Sequence, residues 1–310
     1  MSDKIVCIGS VLIDELYFCN EIVIAGTSNP AISMKSLGGV ITNIAQHLAL
    51  LETDVELITV IGNDTDGQWI KNELSQSRIK IDHSLHVNDN TGKYVSILNN
   101  DGSLFTAACV DVAETYLSPT FLESKQEVLS AATILIADAN ISTQTLQWLI
   151  NYADLNQIPL IIEPVSVAKA RKLAELDLRN VFMLTPNEDE LFSLCRQHQV
   201  SATHAIQELL SGGVQHVWLR KGSNGSVLYS KNETIAVEAK NIAIVDTTGA
   251  GDAALAAWVV GFVKKYHLKK CLQLGHSLAF EVLQVKGAVY KNIHFESLLE
   301  SLNKYYPDAE

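Results

Sequence analysis

KIVCIG (4–9), VELITVIG (55–62), TILIAD (133–138), IPLIIEP (158–164), VFMLTP (181–186) and HVWLRK (216–221) are short β-branched runs spread along the chain. Between most of them lie stretches of helical periodicity, such as NIAQHLALL (43–51) and STQTLQWLINYA (142–153). A strand that passes through a helix before the next strand must cross over. Neighbouring strands then run parallel, and helices cover both faces of the sheet. The pattern predicts an α/β fold, a three-layer α/β/α sandwich with a mostly parallel central sheet. No repeat of fixed period and no low-complexity linker interrupts it, and 47% hydrophobic residues can fill one large core. Residues 1–310 are therefore read as a single domain.

Two segments break the alternation. Residues 15–36 and 91–108 alternate polar and apolar positions with no helix nearby, and KYVSILNNDGSLFTAA (93–108) places two β runs around Asn100-Asp101-Gly102, a hairpin signal. The two inserts are expected to pair as a small β sheet beside the main one. Because residues 31–39 run into Gly38-Gly39, that sheet is expected to act as a lid over a site. Asp138, Asn140, Glu163, Asn187 and Lys221 follow strand-like runs, and ligands of open parallel sheets bind outside the carboxyl ends of the strands.

A net charge of −12 leaves no cationic face for a phosphate backbone, which argues against a nucleic-acid partner. The five cysteines are scattered without paired spacing and read as reduced thiols of a cytoplasmic protein. Cys195 and His198 lack a second ligand pair, so they read as a helix face rather than a metal site. MSDKIVCIGSVLID reads as a first strand and not a signal peptide, and no apolar run is long enough to span a membrane.

The stretch DTTGAGDAALAAW (246–258) carries the chemistry. Its G-x-G-x-x-A resembles a dinucleotide finger, but it lies too late in the chain to open a βαβ unit with an acid about 20 residues on. Gly249, Ala250 and Gly251 put almost no side chain at what reads as a helix start. The first N–H groups of a helix have no internal partner and form an anion hole. Residues 253–262 are apolar all round, so this helix is expected to be buried and its mouth fixed. Asp252 then sits beside a place built for negative charge, an arrangement suited to phosphoryl transfer with Asp252 as base. The helix dipole is expected to lower the pKa of Asp252.

DTTGAGD (246–252) resembles the C-terminal signature of the ribokinase-like (PfkB) family of sugar and nucleoside kinases. GGVITNIAQHLALL (38–51), VIGNDTDG (60–67), TPNEDEL (185–191) and RKGSNGSVLY (220–229) match further family motifs in the expected order. The resemblance implies a ribokinase-like fold, ATP and Mg²⁺ as cofactors, a small-molecule nucleoside or sugar as acceptor, and often a homodimer formed through the lid. It implies that Asp252 is the catalytic base, with the amides of Gly249, Ala250 and Gly251 as the anion hole. Asn187 and Glu190 would order Mg²⁺ and phosphate through water; an Asn and a Glu three apart at a helix start also suit a cap. Lys221, Gly222, Ser223 and Gly225 would line the nucleotide, with Lys221 on a phosphate. Asp246 and Thr248 match positions that hold a monovalent cation, K⁺, in some relatives, completed by carbonyls near Val285 and Gly287. Asp14 at the end of the first strand, with Gly38, Gly39 and Asn43 before a helix, would hold acceptor hydroxyls. Lys93 and Tyr94 on the lid and Asn140 join that side.

Within the family, SNPAISMKSLGGVITNIAQHLALL, IADANIS (136–142) and IIEPVSVAK (161–169) look most like bacterial pseudouridine kinases. In that pattern an arginine precedes Asn43 where Thr42 stands, and an aspartate stands where Glu163 is. Kinases of other nucleosides or of free sugars such as ribose and fructose, and a non-catalytic sugar-binding protein of the same fold, are the alternatives.

Overall fold

The computed structural model describes residues 3–195 and 201–309. His198 lies outside the described residues. In chain order, β1 (Lys4–Ile8), β2 (Leu12–Cys19) and β3 (Ala31–Gly38) lead into α1 (Val40–Leu50). Next come β4 (Asp54–Ile58), β5 (Val60–Gly62), α2 (Thr65–Gln76), β6 (Leu85–Val87), β7 (Lys93–Leu98) and β8 (Leu104–Val110). Three short helices, α3 (Ala113–Tyr116), α4 (Pro119–Glu123) and α5 (Gln126–Ser130), precede β9 (Ile134–Asp138), α6 (Thr143–Leu155), β10 (Leu160–Glu163) and α7 (Val167–Leu173). The chain continues through β11 (Met183–Leu184), α8 (Glu188–Ser193), α9 (Ala202–Ser211), β12 (His216–Arg220), β13 (Ser226–Ser230) and β14 (Thr234–Val237). It closes with α10 (Ala250–Val263), α11 (Leu268–Leu283) and α12 (Phe295–Tyr305).

Eight strands form the main sheet in the order β14-β13-β12-β11-β10-β9-β1-β4. It is parallel from β4 to β12 and antiparallel only at β12–β13 and β13–β14. Side chains of β1 alternate between two cores. Ile5 and Cys7 pack with α1, α10 and α11, while Val6 and Ile8 pack with the helices of the other face. A strand buried on both faces has no polar side to show, which explains its unbroken apolar run. The fold is the three-layer α/β/α sandwich.

A separate four-stranded sheet, β3-β2-β7-β8, is built from the two segments that broke the alternation. β2 and β3 form one hairpin, β7 and β8 the other, and β2 joins them by parallel pairing with β7. The β7–β8 turn closes through the Gly102 N–H on the Asn99 carbonyl and through Asp101, which accepts from Ser103.

Two strand expectations change. VELITVIG is not one strand. It breaks at Thr59, whose buried hydroxyl accepts from the Val11 N–H, and β5 leaves to pair with β6. VFMLTP yields only the two-residue β11, because Pro186 has no N–H for a ladder and Asn187 already caps α8.

Candidate active site

The chain leaves β1 toward β4 on one side and returns to β9 on the other, so the carboxyl end of β1 is a topological switch point. Polar residues collect along this edge of the sheet. Ser10 follows β1. Asp138 ends β9 and Glu163 ends β10. Asn187 caps α8, and Arg220 ends β12.

At α10 the cap residue is Gly249, in the left-handed region at φ 74°, with no side-chain cap. A Cβ there would also strike the Ala288 carbonyl oxygen. The N–H groups of Gly249, Gly251 and Asp252 find no acceptor among the described residues, whereas that of Ala250 reaches Thr247 O at 3.4 Å. The free donors at this mouth therefore include the amide of Asp252, and Ala250 is the weakest of the three residues expected there. Gly249 to Gly251 are half-buried, so the mouth is reachable. Behind it the helix is buried from Asp252 to Gly261.

Asp252 is 9% exposed, and its Oδ2 accepts from Asn43 Nδ2 at 2.9 Å. Asn43 lies in the first turn of α1, inside the helix rather than before it, and its buried Oδ1 has no hydrogen-bond partner among the described residues. The pKa of Asp252 is not lowered but pushed up to about 7. Burial is the main cause, Glu163 and Asp138 add to it, and the Asn43 hydrogen bond and Arg220 oppose it. Loss of hydration in this mouth outweighs the helix dipole.

Asp14 does not end the first strand. It sits on β2, with Gly38 packed against its carboxylate, and burial raises its pKa to about 6. Gly39 caps α1. Tyr94 is Asp14's register partner and shares its face of the small sheet. Lys93 is one residue out of that phase and points away. It is ion-paired with Asp66 at 2.5 Å and Glu15 at 3.3 Å, so it does not share the face of Asp14 and Tyr94. Asn140 is turned back onto Asp138, donating to it from both its backbone and its side chain at 3.0 Å. Asp138 is fully buried, with its pKa raised to about 7 by burial and then by Asp111. Thr42 does not face the cleft either, since it is buried with its hydroxyl on Ser10 O.

Asn187 and Glu190, expected on the nucleotide side, make a reciprocal capping box, each at 2.9 Å. Both readings of that pair are compatible, because the box uses only one Glu190 oxygen. Burial, then Glu163, raises the pKa of Glu190. No trio of His, Cys, Asp or Glu able to cage a metal exists among the described residues. One spare carboxylate oxygen and an amide suit a hydrated Mg²⁺ held through water and phosphate oxygens rather than an all-protein cage. Gly222 to Asn224 form an exposed 3₁₀ turn, and Lys221 and Gly225 close it by the Lys221 N–H on Gly225 O. Ser223 is exposed within it. The Asp246 carboxylate accepts from Thr248 at 2.8 and 2.9 Å and from the Gly287 N–H at 3.0 Å. These bonds bring the two segments of the expected cation site together, and the oxygens keep lone pairs for a cation.

The sequence reading missed Arg220. Its Nη2 donates to both oxygens of Glu163 at 2.8 and 3.0 Å and lies 3.8 Å from Glu190. Its Nη1 fills the space that a Cβ on Gly251 would need. The only signal in the sequence is the Arg220–Lys221 pair at a strand end, whose second member is the one expected on a phosphate.

A three-layer sheet with these residues at its switch point is the architecture of a phosphotransferase with an alcohol group as acceptor. The chain matches the pfkB family carbohydrate kinase model over residues 2–294, and it belongs to that family. Pseudouridine kinase of Escherichia coli (strain K12) is 30% identical over 269 residues, 84% of this chain and 85% of its own. Guanosine-inosine kinase of Exiguobacterium acetylicum is 26% identical over 254 residues, 80% of this chain and 84% of its own. Among solved structures, Arabidopsis thaliana ribokinase complexed with ribose and ATP superposes with a TM-score of 0.85 at 24% identity, over 97% of this chain and 99% of that one. The chain is thus a nucleoside or sugar kinase. No helix among the described residues is long and apolar enough to cross a membrane.

Proposed function

We propose that this kinase moves the γ-phosphoryl group of ATP to the 5′-hydroxyl of a nucleoside, pseudouridine, with Asp252 as base. The acceptor oxygen bonds to the γ-phosphorus, the bond from that phosphorus to the β–γ bridging oxygen breaks, and ADP leaves. The hydroxyl proton goes to Asp252. The free amides of Gly249, Gly251 and Asp252 steady the charge on the moving group, with Ala250 beside them. Mg²⁺, when bound, neutralises phosphate charge; Asn187 and Glu190 would hold it through water. Asp246, with Thr248 and carbonyls near Val285 and Gly287, would hold K⁺. The turn from Lys221 to Gly225 would line the nucleotide.

The observation that carries this reading is the Asn43–Asp252 hydrogen bond. It ties the helix after the Gly38-Gly39 pair to the helix whose mouth has free amides. It also leaves Asn43 Oδ1 buried and, among the described residues, unpartnered, a fit for an acceptor hydroxyl. A base with a pKa of about 7 is also matched to neutral pH. Asp14 is a further acceptor for sugar hydroxyls, and Tyr94 offers a ring for a base. The identity of the nucleoside leans on the Escherichia coli relative.

The test is a panel of pseudouridine, uridine, adenosine, ribose and fructose with Mg·ATP, scored by ADP release. Pseudouridine should give the highest kcat/KM. A free sugar turning over faster would overturn the nucleoside assignment, and no release with any acceptor would leave only sugar binding.

The small sheet supports a homodimer. Ile32 (69% exposed), Met34 (44%) and Leu104 (57%) share one of its faces with Asp14 by register. An apolar face this open suits a second copy of the same sheet. Sedimentation should give twice the chain mass; a monomer at all concentrations would reject it.

A further inference from the structure

We infer that Arg220 is a phosphoryl-binding residue, its Nη1 edge meeting the group in transit beside Gly251. The inference rests on the reading of the α10 mouth as the place of transfer.

Three observations lead there. First, the guanidinium is used on one edge only. Both bonds to Glu163 come from Nη2, while Nε is buried with no acceptor and Nη1 has none among the described residues. A fork that served only as an ion pair would set two nitrogens on the two carboxylate oxygens. Leaving a buried donor such as Nε idle is costly unless something else accepts from it. Second, the idle edge is placed at the anion hole. Nη1 occupies the space beside Gly251, so glycine is required there for the cation to come this close to the helix mouth. Third, the charge around the mouth needs it. Glu163, Glu190 and Asp252 are all buried and all face Arg220, which each of them helps to keep protonated. A polyanionic phosphate chain entering among three carboxylates meets repulsion unless a cation is already present. Arg220 is that cation, since its Nη1 lies against Gly251 at the mouth whereas Lys221 begins the outer turn.

The placement is set by the backbone. The Arg220 N–H donates to Pro186 O at 2.9 Å, joining the end of β12 to the segment that caps α8. Glu163 is held in turn by the Thr185 hydroxyl. Carboxylate, guanidinium and anion hole thus form one line across the sheet edge. With Thr42 buried on α1, the cation of this corner enters from β12.

The test is kinetic, with whichever acceptor gives the fastest ADP release, so that it does not depend on the acceptor's identity. Arg220→Met should lower kcat by at least ~10²- to 10³-fold, the range for losing one transition-state donor. ADP lacks the transferred group, so its Kd by calorimetry should change by less than about threefold. The double variant Arg220→Met with Glu163→Gln should stay as slow as the single one. A kcat within about threefold of the parent, or recovery of rate in the double variant, would reduce Arg220 to a partner of Glu163 and overturn the inference. If Arg220→Met fails to fold by thermal melting, Arg220→Lys decides. It keeps the charge but loses the fork, and should cost at least about tenfold in kcat with ADP affinity kept. An unchanged rate would overturn the inference. A parent enzyme that releases no ADP with any of the acceptors would instead sink the transfer reading itself.

Discussion

Asp252→Asn should lower kcat by ~10³-fold, within the range for loss of a general base, while the protein folds and binds ADP as before. The amide is nearly isosteric, and its carbonyl can still accept from Asn43 Nδ2, so the tie between α1 and α10 survives. The helix-mouth amides still bind phosphate, but nothing takes the acceptor's proton. The pH profile tests the same residue. With the Asp252 pKa raised to about 7, by burial first and then by Glu163 and Asp138, the free enzyme loses its base as pH falls through 7. Parent kcat/KM should therefore drop about tenfold per pH unit on the acid side, and the residual rate of the Asn variant should lack that limb. The stability sign runs the other way. A carboxyl whose folded pKa lies above its unfolded value favours the folded state while protonated and loses that contribution as pH rises through about 7. At pH above 7 the Asn variant should therefore melt no lower than the parent. A parent profile flat down to about pH 5, or full turnover in the variant, would remove Asp252 from the proton transfer.

Gly249→Ala should lower kcat by ~10²-fold or more, because it moves the donors themselves. An alanine in the left-handed region costs about 1–2 kcal/mol from its Cβ alone. Here the Cβ also meets the carbonyl oxygen and Cα of Ala288, backbone that cannot swing aside as a side chain would. The cap must shift, and the N–H groups of Gly251 and Asp252 shift with it. Kinetics and a thermal melt read the two consequences separately. A lower melting temperature with unchanged kcat would make Gly249 a structural cap and no part of the anion hole.

The layers of the fold were legible because a strand buried on both faces must read as a continuous apolar run, as in KIVCI and ILIAD. The small sheet was legible because its strands alternate and its hairpin carries Asn-Asp-Gly. The break at Thr59 was not, since β-branched residues run on through it and only tertiary bonds to Val11 and Ser84 mark the turn. The α10 mouth could be read from local composition, because small residues before an apolar helix leave donors bare. Register was harder. Lys93 and Tyr94 are neighbours in sequence, but the period of two puts only Tyr94 on the face of Asp14. The same phase separates Arg220 from Lys221, and choosing between them needed the end of β12. The raised pKa of Asp252 could not be read either, because burial is a property of the whole packed corner and the helix dipole was the only influence visible in the sequence.

The most direct measurement is a crystal structure with ADP, Mg²⁺, aluminium fluoride in place of the moving phosphoryl group, and the fastest acceptor of the panel. The proposed mechanism places the fluoride group on the free N–H groups at residues 249–252, with the acceptor hydroxyl within hydrogen-bonding reach of the Asp252 carboxylate. A fluoride group bound elsewhere, or an acceptor hydroxyl turned away from Asp252, would contradict it.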